Sequence, residues 1–460
     1  MNSTRWLADR AILLLIFLFA CSKEEDHPTA VEPHQSAFEW ARQAGMGGGK
    51  SLTGLCVDGM GYSVVVGGFG SEAVFDTIVL RAPVYELYAA KYDPSGKVLW
   101  AKNSVSSANC YAVALDIQAS PGGTTVLCGV FSSSMSFGGI GVTSSSSSSF
   151  FLYKLDPSGA AVWGRYPAGT GKSSASKLVT DPAVGTYFTG SFTGTVSLDG
   201  STMTCEGGGA AFVAKLDPPG TLVWAHQSTG SGYAGGSAIG IDAAGNTYVT
   251  GIFRGPVSFG SYSLTADSQS CGFLLKFDSS GKLVWAVKTI SPGTPVDLAT
   301  DAAGNSYVVG VFPGSADLSG IAIVGSSDHA HFLAAYDSGG NVLWGKSLDG
   351  WESSPPHLAV GPAGGCFVTG SFYRSMSFGG TSFSSVEGDI FVCKCSITGQ
   401  VIWAHHFGGR RAAAFSGGIA ADQWDNCYVA GVFQFDIDLD GIQLTSRGGT
   451  EYFLAKLLAH

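Results

Sequence analysis

The stretches Ser237–Phe253, SAIGIDAAGNTYVTGIF, and Gly272–Lys288, GFLLKFDSSGKLVWAVK, decide the fold of this chain. In the first stretch, two β-branched and aromatic-rich runs flank Ala-Ala-Gly-Asn, which is hairpin-turn chemistry. In the second, two similar runs flank Asp278-Ser279-Ser280-Gly281. Asp at the first and Gly at the fourth position favour a type I turn that ends in a left-handed Gly. Together the stretches predict two β-hairpins, whose strands we name A, B, C and D in chain order.

This four-strand pattern repeats along the chain. Landmark tryptophans recur every 59 to 63 residues, at Trp40, Trp100, Trp163, Trp224, Trp285, Trp344 and Trp403. A Gly-x-Phe landmark accompanies them, with its glycine at Gly67, Gly129, Gly190, Gly251, Gly310, Gly370 and Gly431. Strands that are apolar on both faces need a sheet that is covered on both sides, and radial stacking of sheets provides this. We therefore predict an all-β, seven-bladed β-propeller of four-stranded antiparallel blades.

Two copies of the repeat carry a family signature. Gly245–Gly251 and Gly304–Gly310 both read Gly-Asn-x-Tyr-Val-x-Gly, and the C–D hairpin reads Phe-x-x-Lys-x-Asp-x-x-Gly-x-x-x-Trp. The pattern resembles the SBBP-type β-propeller repeat of bacterial, surface-displayed lipoproteins. This resemblance implies the propeller fold over residues 37–460, and it implies almost nothing about a ligand.

The phase of the repeat predicts how the ring closes. The chain begins with a D-type strand at Phe38–Arg42 and ends with a C-type strand at Tyr452–Lys456, so the last blade lacks its own D strand. An open arc would leave two exposed sheet edges, which favour aggregation. We expect the strand of Trp40 to complete the last blade beside Lys456.

The N-terminus has the features of an export signal. An apolar run, Ala11–Ala20, follows two arginines and is too short to span a bilayer, which needs about 20 apolar residues. Leu18-Phe19-Ala20-Cys21 resembles the bacterial lipobox, which implies lipidation of Cys21 after removal of residues 1–20 as a signal peptide. A plain signal peptide with an incidental cysteine is the alternative. Residues 21–36 read as a flexible tether.

The charges of the tether bear on the cellular location of the protein. Lys23 is followed by Glu24, Glu25 and Asp26, which resembles the export tag of some Gram-negative surface lipoproteins; a solvated charged tether is the alternative. We expect an outer-membrane lipid anchor with display at the cell surface. The formal net charge of −10 and the absence of a basic cluster argue against a nucleic-acid partner. We expect a monomeric propeller without a cofactor.

Residues that stay in register with the repeat favour packing roles. The turn geometry predicts Trp100 opposite Ala90 and Lys102 opposite Tyr88, so the tryptophans read as packing residues, with sugar stacking as the alternative. The lysine that recurs nine residues before most of the tryptophans, such as Lys276, reads as an outer-strand solubility device.

Candidate metal, redox and catalytic residues are weak in this sequence. The Asp of the A–B turn, such as Asp242, favours turn capping over calcium binding, because one carboxylate supplies too few oxygens. Cys393 and Cys395 alternate on one strand and would strain to pair, and His405-His406 is weak evidence for a metal. The sequence has no Gly-x-Ser-x-Gly, His-Glu-x-x-His or phosphate-loop motif. We therefore predict no catalytic residue and no metal site.

Functional candidates are the residues that escape the repeat. Variation concentrates in the B–C and D–A connections, which we expect to be loops on one face of the disc. The candidate binding residues there are Arg254, Trp351, Glu352, Tyr373 and Arg374, together with the serine run Ser144–Ser149.

Three functions remain open at this stage. The leading one is a non-enzymatic cell-envelope lipoprotein that presents one loop face to a protein or glycan. The alternatives are a carbohydrate-active enzyme, a lyase or hydrolase, and a structural envelope protein with no specific ligand. Acidic, His or Tyr side chains that converge in the central channel, with raised carboxylate pKa values, would favour the enzyme, whereas Gly, Ser and Ala there would favour the scaffold.

Overall fold

The structure is a computed structural model, and it describes residues 38–46, 50–107, 110–326, 329–409 and 414–459. Its regular elements in this part of the chain are all β-strands. In chain order they are β1 (Phe38–Met46), β2 (Lys50–Val57), β3 (Ser63–Phe75), β4 (Ile78–Tyr92), β5 (Val98–Ser106), β6 (Ala112–Ala119), β7 (Thr125–Phe131), β8 (Ser134–Phe137), β9 (Ile140–Thr143), β10 (Ser149–Leu155), β11 (Ala161–Arg165), β12 (Ser173–Thr180), β13 (Thr186–Leu198), β14 (Ser201–Leu216), β15 (Leu222–Thr229), β16 (Tyr233–Ile241), β17 (Thr247–Phe259), β18 (Tyr262–Phe277), β19 (Leu283–Lys288), β20 (Ile290–Ser291), β21 (Thr294–Thr300), β22 (Ser306–Phe312), β23 (Ser315–Leu318), β24 (Ile321–Val324), β25 (Ala330–Tyr336), β26 (Val342–Ala359), β27 (Cys366–Phe378), β28 (Thr381–Ser384), β29 (Asp389–Cys395), β30 (Val401–Phe407), β31 (Ala414–Ala421), β32 (Cys427–Leu439) and β33 (Ile442–Leu457). No helix among the described residues is long and apolar enough to cross a membrane.

The predicted A–B–C–D order of strands is present. Within residues 233–288, β16, β17, β18 and β19 pair in that order, and every pair is antiparallel. The same order recurs along the chain, and we number the sets as units. They are β2–β3–β4–β5 (unit 1), β6–β7–β10–β11 (unit 2), β12–β13–β14–β15 (unit 3), β16–β17–β18–β19 (unit 4), β21–β22–β25 with the first half of β26 (unit 5), the second half of β26 with β27–β29–β30 (unit 6), and β31–β32–β33–β1 (unit 7).

The first strand of the chain lies beside the last one. β1 pairs antiparallel with β33, with Trp40 opposite Lys456 and Ala41 opposite Ala455. This is the strand pairing that the phase of the repeat predicts. It supplies unit 7 with a D strand from the other end of the chain.

The apolar core lies between neighbouring units. One cluster joins Ile390 and Phe407 of unit 6 to Val429 and Phe453 of unit 7, all of them almost fully buried. Burial of this kind stabilises by about 25 cal/mol per Å² of apolar surface removed from water. Each sheet is thus covered on both faces, as the two-sided apolar strands require.

The landmark tryptophans join one unit to the next. Trp163 donates from Nε1 to the carbonyl of Pro218 at 3.1 Å, and a Cβ added to Gly220 would lie 2.9 Å from its ring. Arg165 donates to the Gly220 carbonyl at 2.7 Å and lies over the Trp163 ring. The tryptophan and the following base therefore hold the C–D turn of the next unit, which supports a packing role.

The predicted register of the C–D hairpins is wrong by one residue. Trp100 lies opposite Lys91 rather than Ala90, and Lys102 lies opposite Ala89 rather than Tyr88. A bulge between Lys91 and Tyr92 shifts the pairing, and the turn rules alone do not contain this bulge. Lys102 therefore lies over the ring of Trp100 on its own strand.

The recurring lysine is not a general surface device. Lys91 is only 4% exposed, forms an ion pair with the equally buried Asp58 at 3.7 Å, and lies over the ring of Tyr62. Lys456 is 8% exposed and pairs with Glu39 at 2.6 Å. In both cases the ammonium lies over a tyrosine ring and also reaches a carboxylate, so the residue is mainly a packing element.

The B–C connections are strands rather than the expected loops. Strands B and C continue past a bulge as a hairpin arm, and the arm pairs with strand D of the preceding unit, as Ser228 with Phe259 and Gly45 with Val74. The residue four after each landmark glycine takes a left-handed φ of 60–68°, and this set is Ser71, Ser133, Gly194, Gly255, Gly314, Arg374 and Phe435. Left-handed bulges bend a strand, so they turn each arm towards its neighbour.

Candidate functional site

A bulge in strand A places one residue of each unit in line around a small central cavity. The position is 13 residues before the landmark glycine. Its occupants are Gly54, Asp116, Lys177, Ala238, Asp297, His357 and Gly418, each the first paired residue after a register shift in its A–B pair. All but Ala238 line the cavity, which has a volume of about 70 Å³.

The four polar occupants form one ion-pair network. Lys177 Nζ lies 3.7 Å from Asp116 Oδ1 and 3.5 Å from Asp297 Oδ1, and His357 Nδ1 lies 3.8 Å from Asp297 Oδ2. Both carboxylates are almost fully buried, whereas Lys177 and His357 are about a quarter exposed. Each carboxylate also accepts a hydrogen bond from a backbone amide: Leu178 N donates to Asp116 and Leu358 N donates to Asp297, each at 3.0 Å.

Burial and charge move the pKa values of these groups in different directions. Burial raises the pKa of Asp116 above its ordinary value, and the charge of Lys177 only partly offsets it. Burial also opposes the ionised form of Asp297, but Lys177, His357 and the Leu358 amide outweigh it and lower the pKa of Asp297 to about 2. The pKa of Lys177 is raised, because the two carboxylates outweigh the desolvation of its ammonium.

Asp116, Asp297 and His357 converge in the channel, as the enzyme alternative expects, but of the two carboxylates only Asp116 has a raised pKa, and the ion pairs favour a structural role. Each carboxylate is ion-paired with Lys177 and accepts a hydrogen bond from a backbone amide, which holds both carboxylates in place. The cavity beside them has room for a few water molecules only. The sequence analysis did not select these residues as candidates. The signal is present in the sequence, because the position 13 residues before each landmark glycine holds Asp, Lys, Asp and His in four repeats and Gly or Ala in the others.

A larger recess lies between the hairpin arms of units 6 and 7. It has a volume of about 900 Å³, and its lining includes the exposed ring of Phe435. The remaining lining is mostly polar or small: Ser384, Ser385, Val386, Asp389, Gly408, Gly409, Asp436, Ile437, Asp438, Gln443 and Thr445. The recess therefore combines one aromatic ring with carboxylate, amide and hydroxyl groups.

The floor of the recess is held in place by hydrogen bonds. Asp389 is 9% exposed, accepts from Ser385 Oγ at 2.9 Å, and lies 2.8 Å from Nδ1 of His406. Asp438 N donates to the Gly408 carbonyl at 3.0 Å, which joins the arm of unit 7 to strand D of unit 6. Such contacts keep the polar groups of the recess in one arrangement, which reduces the ordering cost of binding.

The five candidate residues from the sequence do not form one site. Arg254 lies in β17, where its Nε donates to Ser270 Oγ at 2.6 Å, so it belongs to the arm of unit 4. Tyr373 and Arg374 lie in β27 beside the recess, because the Arg374 carbonyl accepts from the amide of Ser385 at 2.7 Å. Trp351 and Glu352 lie in β26, which runs without a break from unit 5 into unit 6, rather than in a loop.

The other residues discussed from the sequence are the serine run, the turn aspartate and the lipidation cysteine. Ser144–Ser149 is internally hydrogen-bonded, with Ser144 Oγ and Ser149 Oγ 2.5 Å apart. Asp242 caps its turn as predicted, accepting from Ala244 N and Asn246 N at 2.9 and 2.8 Å. Cys21 and the tether lie outside the described residues. In the described part of the chain, no group of three or more His, Cys, Asp or Glu side chains is arranged to hold a metal ion.

Comparison with known proteins gives distant similarities only. No family model matches the chain. An uncharacterized WD repeat-containing protein of Acanthamoeba polyphaga mimivirus is 24% identical over 291 residues, which are 49% of this chain, and the match spans only 21% of that protein. Among solved structures, the WD40 repeats of RRP9 align over 92% of this chain and 99% of that one, at 9% identity and a TM-score of 0.39. A polysaccharide lyase of family PL25, an ulvan lyase, aligns over 89% and 97%, at 10% identity and a TM-score of 0.43.

Proposed function

We propose that this protein is a non-enzymatic binding module of the cell envelope, built as a seven-bladed β-propeller that the N-terminal strand closes. Support for closure comes from both ends of strand β1. β1 pairs with β33 of unit 7 and, at its far end, with the arm of β3 in unit 1. The A strands also contact one another in cyclic order, including β31 with β2. A closed ring leaves no open sheet edge between the last and first blades.

The recess between the arms of units 6 and 7 carries the binding proposal, and its chemistry favours a glycan over a protein surface. Carboxylates accept hydrogen bonds from hydroxyl groups, and Asp436, Asp438 and Asp389 provide three of them. The face of the Phe435 ring offers an apolar platform for the C–H face of a sugar. Phe435 is 59% exposed and takes a φ of 62°, a conformation that a bulky residue seldom adopts. A similar φ recurs at this position in the other units, so the exposed aromatic ring is what distinguishes unit 7.

Glycan-array binding by the full chain in detergent tests this proposal. We expect Phe435→Ala and Asp438→Asn to weaken binding by tenfold or more. Trp424→Ala is the matched control, because Trp424 is 56% exposed but lies in the A–B turn of unit 7, away from the recess lining. Equal loss of binding in the Trp424 variant, or no binding to any glycan alongside specific capture of a protein, would contradict a glycan site in the recess.

The N-terminal sequence supports a lipid anchor through Cys21 at the outer membrane, with surface display. Incorporation of labelled palmitate into the chain, and its loss in Cys21→Ala, tests the anchor. Protease accessibility of the chain on intact cells tests display. Labelling that persists in the variant contradicts lipidation at Cys21.

An enzyme with its site in the central channel is the second candidate. The observation that favours it is the raised pKa of Asp116 in a channel that also holds Asp297 and His357. Polysaccharide depolymerisation by the parent protein that is lost in Asp116→Asn would support the enzyme. Binding without turnover, unaffected by this substitution, would support the module.

A further inference from the structure

Repeat units 3 and 4 are separated by a gap, and in units 5 and 6 large side chains occupy the equivalent space. In unit 6, Ile390 lies opposite Phe407, and in unit 5 His331 lies opposite Leu348; all four side chains are buried. The strand C position is the residue just before Phe391 or Phe332, and the strand D position is the residue four after the landmark tryptophan. Their bulk occupies the space between one unit and the next.

In unit 3 both of these positions hold small residues. Ala211 on β14 and Ser228 on β15 take the places of Ile390 and Phe407. They lie together, because Ala211 N donates to Ser228 Oγ at 3.0 Å. In unit 7 a small residue, Ala44, is compensated by the large Tyr452 opposite it, whereas unit 3 has no large member in the pair.

The result is an apolar pocket of about 250 Å³ between units 3 and 4. Its walls are mainly aromatic and aliphatic, with Phe212 from unit 3 and Phe259, Phe273 and Leu275 from unit 4. The walls are themselves well packed, since the Phe259 and Phe273 rings lie 4.8 Å apart. Protein interiors normally leave few voids larger than a water molecule, so a pocket of this size is unusual.

The chemistry of the walls selects the occupant. Thr189 lines the pocket, but its hydroxyl is directed to the Phe212 carbonyl at 2.7 Å. His226 also lines the pocket; its ring is exposed and stacks on Phe277 at 5.3 Å. The described residues that line the pocket include no Asp, Glu, Lys or Arg side chain to pair with a buried charge, whereas apolar cavities bind molecules such as benzene. Aromatic walls also favour edge-to-face contacts with a further ring.

We propose that the pocket between units 3 and 4 binds a small, uncharged aromatic molecule of one or two fused rings. The ring enters beside His226 and occupies the volume that Ile390 and Phe407 occupy in unit 6. This site is separate from the recess of Phe435, and it does not depend on the proposed glycan function.

Titration of the full chain with indole, followed by calorimetry and by the fluorescence of the neighbouring Trp224, tests the proposal. We expect saturable binding of indole and no binding of charged indole-3-acetate. Ser228→Leu introduces the residue that unit 5 has at this position, Leu348, and fills part of the pocket. We expect this variant to weaken indole binding at least tenfold. Val223→Leu adds similar apolar bulk on the exposed part of the same strand and serves as the matched control.

A second filling variant, Ala211→Val, decides the matter if Ser228→Leu does not fold. Phe435→Gly separates the two sites, because it should leave indole binding unchanged. Absence of saturable indole binding by the parent protein would overturn the proposal. Unchanged affinity in whichever filling variant folds would also overturn it.

Discussion

Replacing Phe435 with glycine and with alanine tests whether the backbone of the hairpin arm is strained at this residue. Phe435 has a φ of 62°, and the equivalent residues of three other units are Gly194, Gly255 and Gly314 at 65°, 68° and 60°. The Phe435 side chain is 59% exposed, so both substitutions remove a similar, small amount of buried surface. The two variants therefore differ mainly in the backbone.

The expected difference follows from two opposing effects. A left-handed φ costs a residue with a Cβ about 1–2 kcal/mol, and glycine does not incur this cost. Glycine loses more freedom on folding, which disfavours it by about 0.5–1 kcal/mol relative to alanine. We expect Phe435→Gly to be more stable than Phe435→Ala by up to about 1 kcal/mol. Both variants should lose glycan binding, because both lack the ring.

Urea unfolding followed by tryptophan fluorescence measures the difference. Leu99 provides the control, since it is 45% exposed in β5 and is not among the residues with a positive φ. At this ordinary strand position we expect the reverse order, with alanine more stable than glycine by about 0.5–1 kcal/mol. An alanine variant of Phe435 that is clearly more stable than the glycine variant would refute the assignment of strain. Retained glycan binding by both variants would remove the ring from the proposed site.

Three further substitutions probe the contacts between units. Gly220→Ala should destabilise the protein more than Gly441→Ala does in thermal melts. Both glycines have a positive φ, but only at Gly220 would the new Cβ meet a ring, that of Trp163, and this overpacking adds a cost of about 1–3 kcal/mol. Equal melting temperatures of the two variants would contradict this. Asp297→Asn should destabilise by about 2 kcal/mol at pH 7, because the folded-state pKa of Asp297 is lowered from 3.8 to about 2. This stabilisation is present above pH 4 and is lost as the pH falls towards 2. A difference in urea midpoints between the variant and the parent that persists at pH 2 would contradict it. Lys177→Met should cost about 3–5 kcal/mol in the same assay, since it leaves two buried carboxylates without their cation, and a neutral effect would show that the ion pairs do not stabilise the channel.

The sequence predicted the repeating strand order and the strand pairing of Trp40 because both follow from local chemistry. Turn residues such as Asp278 and Gly281 specify hairpins, and the spacing of the tryptophans fixes the phase of the repeat. The one-residue error at Trp100 has a local cause too, but a bulge in a C–D hairpin leaves no distinct signal in composition.

The B–C arms were missed for a different reason. Residues around Arg254 and Tyr373 vary between repeats, and such variation by itself predicts loops. The two strands of each arm pair with one another and also with strand D of the preceding unit, which is a contact between segments that are distant in the pattern. Non-local hydrogen bonds of this kind determine strand structure more strongly than the sequence of one hairpin does.

By itself, therefore, the sequence determined the all-β repeat, its phase and the packing role of the residues in register, since these depend on period and turn chemistry. Only the tertiary structure decided which side chains from different units meet. Asp116, Lys177, Asp297 and His357 come from four units, and they interact because each strand A has a bulge that directs one side chain to the same place. Likewise, the pocket beside Ser228 exists because two small residues from neighbouring strands lie side by side, and a single repeat does not reveal that pairing.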